Sequence, residues 1–142
     1  MSARSRIVDA IITKFKLING TGVYNTNIYS NVFKGIKFWD TINDFPAVYV
    51  SAGSEIRDYL PGDFKWGFLN ITARIFVKED NPQNRLEQIL EDIETVLDAN
   101  NSLVYDTGKE TVQITILSIQ TDEGILTPYG AGELVFQVRY DL

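Results

Sequence analysis

The sequence predicts an α+β fold: a single domain over residues 1–142, with a mainly antiparallel sheet and two helices packed on one of its faces. Two segments repeat apolar residues with a helical period, one near the start of the chain and one after residue 80. Other segments alternate apolar and polar residues, as strands with one buried face do. A Pro61-Gly62 turn joins two of these segments directly, which favours antiparallel pairing. The predicted order is α-β-β-β-α-β-β.

The first helix is predicted from Ala3 to Ile18, because its apolar residues recur at spacings of three and four. Asn19-Gly20 ends it, since glycine suits the left-handed conformation that follows many helices. From Gly20 to Asp44 no period is clear, and we expect loops with a short extended piece near Asn27–Phe33. The apolar stripe of the helix consists of Ile7, Val8, Ile11, Ile12, Phe15 and Ile18.

Three strands are predicted next, over Pro46–Ala52, Ser54–Tyr59 and Phe64–Lys78. The last two form a long hairpin around Leu60-Pro61-Gly62-Asp63, which has Pro and Gly at the central positions of a type II turn. Along 64–78 every second residue is apolar, so one face of this strand is expected in the core. The residues of that face are Leu69, Ile71, Ala73, Ile75 and Val77.

The second helix is predicted to begin at Asn81-Pro82, a good N-cap followed by a good first helical residue. It ends at Asn100-Asn101. Two more strands are expected, over Val112–Thr121 and Glu133–Leu142. The apolar stripe of the helix contains Leu86, Ile89, Leu90, Ile93, Val96 and Leu97.

Composition argues against most enzyme classes. The chain has no His and no Cys, which removes the commonest general base, the commonest zinc ligand and thiolate chemistry. We therefore predict no catalytic residues, no metal site and no cofactor. No apolar run reaches membrane-spanning length, so no membrane segment is expected. The net charge of −6 disfavours binding to a phosphate backbone, although it would let DNA slide past.

The connector Asp122–Gly132 is about twice as long as a usual hairpin loop and carries apolar residues at its tip. Apolar side chains on a surface loop favour a partner that covers them. The tip of the long hairpin has the same character, and it could dock on a neighbouring protein. The predicted interface residues are Ile125, Leu126, Pro128 and Tyr129 in the connector, and Tyr59, Leu60, Pro61, Gly62 and Phe64 at the hairpin tip.

Two charged faces are candidate contact surfaces. Acidic residues crowd the second helix, where they form either a solvated face or a surface for a basic partner or for repelling DNA. Basic residues on the first helix are either solvated or matched to the acidic helix of a neighbouring copy, a head-to-tail contact that can close into a ring. The acidic candidates are Glu87, Glu91 and Glu94, beside Asp92 and Asp98, and the basic ones are Arg4, Arg6, Lys14 and Lys16.

The chain resembles the tail terminator (tail-completion) proteins of long-tailed bacteriophages. The likeness extends over most of the sequence and rests on structural segments. These are Phe38-Trp39-Asp40, Phe45-Pro46, Tyr59-Leu60-Pro61-Gly62, Lys65-Trp66-Gly67-Phe68, Leu90-Glu91-Asp92-Ile93-Glu94 and Thr121-Asp122-Glu123-Gly124.

This resemblance implies a ring, commonly of six subunits, that caps the tail tube, ends its polymerisation and joins it to the neck and head. The implied partners are sister subunits, the tail tube protein, a neck or connector protein and, in a contractile tail, a sheath protein. DNA would pass through the ring without specific binding. No active site or cofactor is implied, and the expected location is the virion tail or neck after assembly in the host cytoplasm.

Two other functions stay open at this point. The chain could be a head-completion or connector protein of the same particle, which would bind the portal complex instead of the tube. It could also be a small soluble binding module or a carboxylate-dependent enzyme, which predicts a deep pocket with converging Asp or Glu residues.

Overall fold

The computed structural model describes residues 2–142, and within them two helices cover one face of a six-stranded sheet. The elements are helix α1 (Ala3–Phe15), strands β1 (Val32–Lys34), β2 (Ala47–Leu60) and β3 (Phe64–Lys78), helix α2 (Pro82–Ala99), and strands β4 (Val104–Asp106), β5 (Lys109–Thr121) and β6 (Tyr129–Asp141). The predicted α+β class and the helix packing are confirmed.

The strands lie in the order β1-β2-β3-β6-β5-β4. Only β1 runs parallel to its neighbour, and every other pairing is antiparallel. Helix α1 contacts β1 and β2 at one side of the sheet and also β4 at the other. The sheet therefore curls around α1, and the core fills the concave side.

The core forms where the predicted stripes meet. Alternate residues of β3 and β6 are buried, from Leu69 to Val77 and from Leu134 to Tyr140. They pack against the apolar faces of both helices in one cluster that includes Phe15, in edge-to-face contact with Phe136. The alternation along β3 is confirmed, and both predicted helix stripes are buried. Helix α1 ends at Phe15 and not at Ile18, so Ile18 enters the core from the turn that follows the helix.

Strand β2 differs from its prediction. The segments 46–52 and 54–59 are one continuous strand, not two, with an irregular register between Ala52 and Glu55. Pairing with the unbroken β3 carries the strand through the small residues Ala52-Gly53-Ser54. A short β1 lies at the end of the predicted extended piece, and β4 was not predicted.

The connector between β5 and β6 is also shorter than predicted. Its irregular part is 122–128, because Tyr129 to Gly132 belong to β6. Gly130 and Gly132 lie directly beneath α2: a Cβ at Gly132 would come within 2.9 Å of Leu86, and one at Gly130 within 3.0 Å of Pro82. These glycines allow close packing of the helix on the sheet and are not turn residues.

Candidate partner interfaces

The tip of the β2–β3 hairpin extends beyond the last residue of β6 that pairs with it, Asp141, which lies opposite Trp66. The turn is tight, with positive φ at both Gly62 (81°) and Asp63 (65°). Tyr59 and Phe64 are 65% and 66% exposed, and Leu60, Pro61 and Gly62 are exposed as well. The structure thus brings all five predicted tip residues together at the surface.

On the sheet face away from the helices, the hairpin carries two pairs of apolar side chains, with Asp58 and Trp66 between them. Ile56 lies opposite Phe68, and Leu60 lies opposite Phe64. Between these pairs, Trp66 supports the guanidinium of Arg139, whose central carbon is 4.0 Å from the ring centre. Tyr59, opposite Lys65, lies on the other face of the hairpin. We call Ile56, Tyr59, Leu60, Phe64 and Phe68 together the arm surface.

The arm is anchored to the core by Tyr140. Its ring lies over Gly67, where an added Cβ would come within 2.6 Å of the ring. Its hydroxyl donates to Glu55 Oε1 at 2.5 Å, and the same carboxylate accepts from Arg57 Nε at 2.7 Å. Burial, and then the hydrogen bond to Glu55, raise the pKa of Tyr140 above its ordinary value.

A second apolar surface lies at the other end of the sheet. Ile125 is 84% exposed at the top of the connector, and Pro128 is exposed beside it. Leu126 is half-buried. Tyr129 packs within its own subunit, against Trp39 with ring centres 5.0 Å apart, under Lys78 at 5.2 Å and beside Phe45. The connector residues therefore divide into exposed ones and ones that brace the loop.

The region before β2 adds to this second surface, which the sequence did not indicate. The short 3-10 turn Trp39–Thr41 holds Trp39 against Tyr129, and the preceding Phe38 is 77% exposed. We call Phe38, Trp39, Ile125 and Tyr129 the loop-end surface. The aromatic residues between Gly20 and Asp44 follow no regular spacing, so the sequence does not indicate which of them are buried and which, like Phe38, are exposed.

The two surfaces lie at opposite ends of the molecule. Strand β3 joins them without interruption, from Phe64 beside the arm tip to Lys78 beside Tyr129. Its 15 residues extend over about 45 Å at the usual rise of a strand. A subunit built this way can contact two different partners at once.

The acidic face of α2 lies beside β5. Glu87 and Glu91 are exposed and Glu94 is half-buried; together they border a shallow groove that also contains Leu90 and Ile119. No opposite charge pairs with these three carboxylates among the ion pairs of residues 2–142. The groove holds no converging carboxylate cluster of the kind that a divalent ion requires.

Asp92 does not belong to that solvated face. It is fully buried and accepts hydrogen bonds from the backbone N–H groups of Asn25 and Thr26, at 2.8 and 2.9 Å, and from Thr26 Oγ1 at 2.8 Å. This carboxylate fastens the loop between α1 and β1 to α2. A charge count along the helix cannot separate a buried acceptor from its exposed neighbours.

The two arginines of α1 make contacts within the subunit. Arg4 donates to the backbone carbonyl of Gly53 at the irregular point of β2, and Arg6 pairs with Asp106 of β4. The pKa of Asp106 is lowered, first by a hydrogen bond from the backbone N–H of Thr107 and also by Arg6. Lys16 is exposed at the C-cap, and Lys14 is half-buried in the last turn. The basic helix thus holds the two sides of the curled sheet together.

Across residues 2–142, the structure contains no group of three or more Asp, Glu, His or Cys side chains arranged to hold a metal ion. In the same part of the chain, no helix combines the length and the apolar character needed to cross a membrane.

Comparison with known proteins identifies the family of this chain. A family profile described as Bacteriophage Tail Tube Terminator Protein matches residues 1–142. The "Tail tube terminator protein p142" of Escherichia phage T5 is 34% identical over an alignment of 152 residues, which covers 99% of this chain and 94% of the phage protein. A chain from the virion of a native gene transfer agent particle has the same fold, with a TM-score of 0.70, 13% identity and full coverage of both chains. The chain belongs to the bacteriophage tail tube terminator family.

Proposed function

We propose that this protein forms a homo-oligomeric ring, of about six copies as the family resemblance implies, on the end of a phage tail tube. The ring ends tube polymerisation and presents its other side to a neck or connector protein, with a sheath protein as a further neighbour if the tail is contractile. The name of the T5 relative, a tail tube terminator protein, supports the tube-ending role. In this proposal the protein is a structural component of the virion tail and not an enzyme.

The observation that carries this proposal is the pair of apolar surfaces about 45 Å apart along β3. A terminator has to hold the last ring of the tube on one side and the neck on the other. Exposed aromatic and aliphatic side chains at both ends meet that need, because burying them on a partner is favourable while leaving them in water is not. The proposed contacts are the predicted residues of the arm tip and the exposed connector residues Ile125 and Pro128, while Leu126 and Tyr129 support the connector from within the subunit.

Charge supports the passage of DNA without specific binding. The net charge is −6, and the acidic face of α2 presents three carboxylates that no cation of residues 2–142 pairs with. Such a surface repels phosphates, so DNA that passes a ring of these subunits would not adhere to it.

The test is a tube-length assay with purified tail tube protein, in which lengths are measured by electron microscopy with and without this chain. The expected result is shorter tubes with the protein at their ends. Phe64→Ser and Ile125→Ser each remove one exposed apolar side chain from one surface. One of them should abolish binding to tube ends, while the other should leave tube binding intact and abolish neck binding.

Val23→Ser is the matched control, because Val23 is 72% exposed but belongs to neither surface. Melting temperatures of all three variants should equal that of the parent, since none of the three residues is in the core. If tubes continue to grow with the parent protein present and none is found at their ends, the proposed function is wrong. Binding to the portal complex alone would instead identify a connector.

A further inference from the structure

At one edge of the sheet, half of strand β2 has no partner strand. Strand β1 pairs only with Val48 to Val50, and the carbonyl of Gly53 accepts from Arg4. Beyond this point, residues 55–60 pair with β3 on one side, and no other strand of the described chain lies on the other side. The outward N–H and C=O groups of these six residues are therefore available for pairing.

The other side of the sheet leaves part of β5 free in the same way. Strand β4 pairs only with Lys109 and Glu110, and the side chain of Asn101 accepts from the N–H of Ile114. Residues 115–121 have β6 on one side and no strand of residues 2–142 on the other. Free edges are usually protected by charged residues or proline, yet residues 111–121 contain neither.

We propose that residues 55–60 of one copy pair with residues 115–121 of the next copy, so that a continuous sheet runs through the ring. This inference rests on the proposed ring. The two edges are different, so the contact is head-to-tail and can repeat until a ring closes. Pairing of like edges would instead stop at a dimer. Exposed apolar side chains border both edges, with Ile56 and Tyr59 on one and Leu117 and Ile119 on the other.

The topology also determines the direction of this pairing. Three successive antiparallel pairings connect β2 to β5, so the two strands run in opposite directions within one subunit. The rotation that relates one copy to the next in a ring does not change the direction of a strand relative to the ring axis. The β2 edge of one copy therefore meets the β5 edge of the next antiparallel, which is the more stable arrangement per residue.

The two free edges lie at different heights on the sheet. Through the register, Asp58 is level with Trp66 of β3, whereas Ser118 is level with Thr72. The offset is about 20 Å at the usual rise of a strand. Copies joined through these edges are displaced along the strands, so the strands of the ring are inclined to its axis, as strands in closed barrels are.

Disulfide trapping tests the pairing, because the chain contains no cysteine. Asp58 and Ser118 are both exposed and point away from the helices, so directly opposed cysteines there would share a face. Asp58→Cys is mixed with Ser118→Cys under mild oxidation, with and without tail tubes. Thr115→Cys and Gln120→Cys replace Ser118→Cys in parallel mixtures and sample other registers on the same face.

We expect at least about ten-fold more covalent dimer in one of these mixtures than with either variant alone, because a disulfide requires Cα atoms within about 7 Å. Lys16→Cys mixed with Ser118→Cys measures chance collision, since Lys16 is exposed at the end of α1. Melting curves equal to that of the parent show that the variants fold.

Each result decides the proposal. Dimer that forms as readily from Asp58→Cys or Ser118→Cys alone indicates pairing of like edges and overturns it. The absence of a mixed product at all three positions also overturns it. If the parent caps tubes in that case, the proposed function stands without the edge pairing. A specific mixed product from a protein that does not cap tubes supports the edge pairing and removes the proposed function.

Discussion

Replacing Asp92 by alanine should destabilise the fold far more than replacing an exposed acidic residue of α2 such as Glu91. The carboxylate is fully buried and accepts three hydrogen bonds from Asn25 and Thr26. Alanine leaves two backbone N–H groups and one hydroxyl without an acceptor, and each unsatisfied buried group costs about 1–3 kcal/mol. We expect a total loss of about 3 kcal/mol, at the low end of the sum.

In a protein of this length, a loss of about 3 kcal/mol lowers the melting temperature by about 10 °C. The assay is calorimetry combined with urea unfolding followed by circular dichroism, which give the melting temperature and the free energy of unfolding. Hydrogen exchange at the amide of Thr26 supplies a local measurement, because this N–H loses its acceptor. Its exchange should become faster by more than the global destabilisation explains.

Glu91→Ala is the control, because Glu91 is the preceding residue on the same helix and is exposed. It should change the free energy of unfolding by no more than about 0.5 kcal/mol. A melting temperature for Asp92→Ala within about 2 °C of the parent would show that the three hydrogen bonds contribute little net stability. Equal losses in both variants would mean that helix charge and not the buried acceptor is responsible.

Tyr140→Phe should destabilise the protein at neutral pH and less so in alkali. The folded-state pKa of Tyr140 is above its ordinary value of 10.0, so its contribution to the free energy of unfolding is complete below pH 10 and is lost as the pH rises through the folded pKa. Urea unfolding from pH 8 to 11 should therefore show a shrinking difference in the free energy of unfolding between parent and variant. Gly67→Ala should cost about 1–3 kcal/mol through the contact with Tyr140, whereas Gly53→Ala, with 3.6 Å to its nearest atom, should cost less in the same unfolding assay. The pKa of Asp106 is lowered, so its contribution is present above its ordinary value of 3.8 and is lost as the pH falls; acid titrations of parent and Asp106→Asn, followed by circular dichroism, should converge below that pH.

The parts of the fold with a strong period could be predicted from the sequence. Strand β3 and helix α2 have long, regular apolar stripes, and the predicted stripe residues are all buried. Phe76 and Asp92 are buried as well, outside these stripes. Gly53 separates two predicted strands because small residues give no alternation, whereas the pairing of β2 with β3 that joins them is a tertiary effect. Gly130 and Gly132 fall within the predicted connector, since the close approach of α2 that requires them is not encoded locally.

The candidate interfaces were predictable only in part. Exposed tips such as Tyr59, Phe64 and Ile125 follow from turn positions that leave apolar side chains without a face to pack on. Tyr129 has the same character in the sequence, yet it packs on Trp39 from a distant loop. The free edges of β2 and β5 depend on strand order, which a pattern of single strands does not specify.

The unbroken β3 has a mechanical consequence. A pull between the two ends of the subunit runs along this strand, and the hydrogen bonds that join it to β2 and β6 lie across the direction of pull. All of these bonds are then strained together in shear, whereas a pull across the sheet would open them one at a time. The subunit should therefore resist axial tension between a tail and a head better than any force that peels its edges apart.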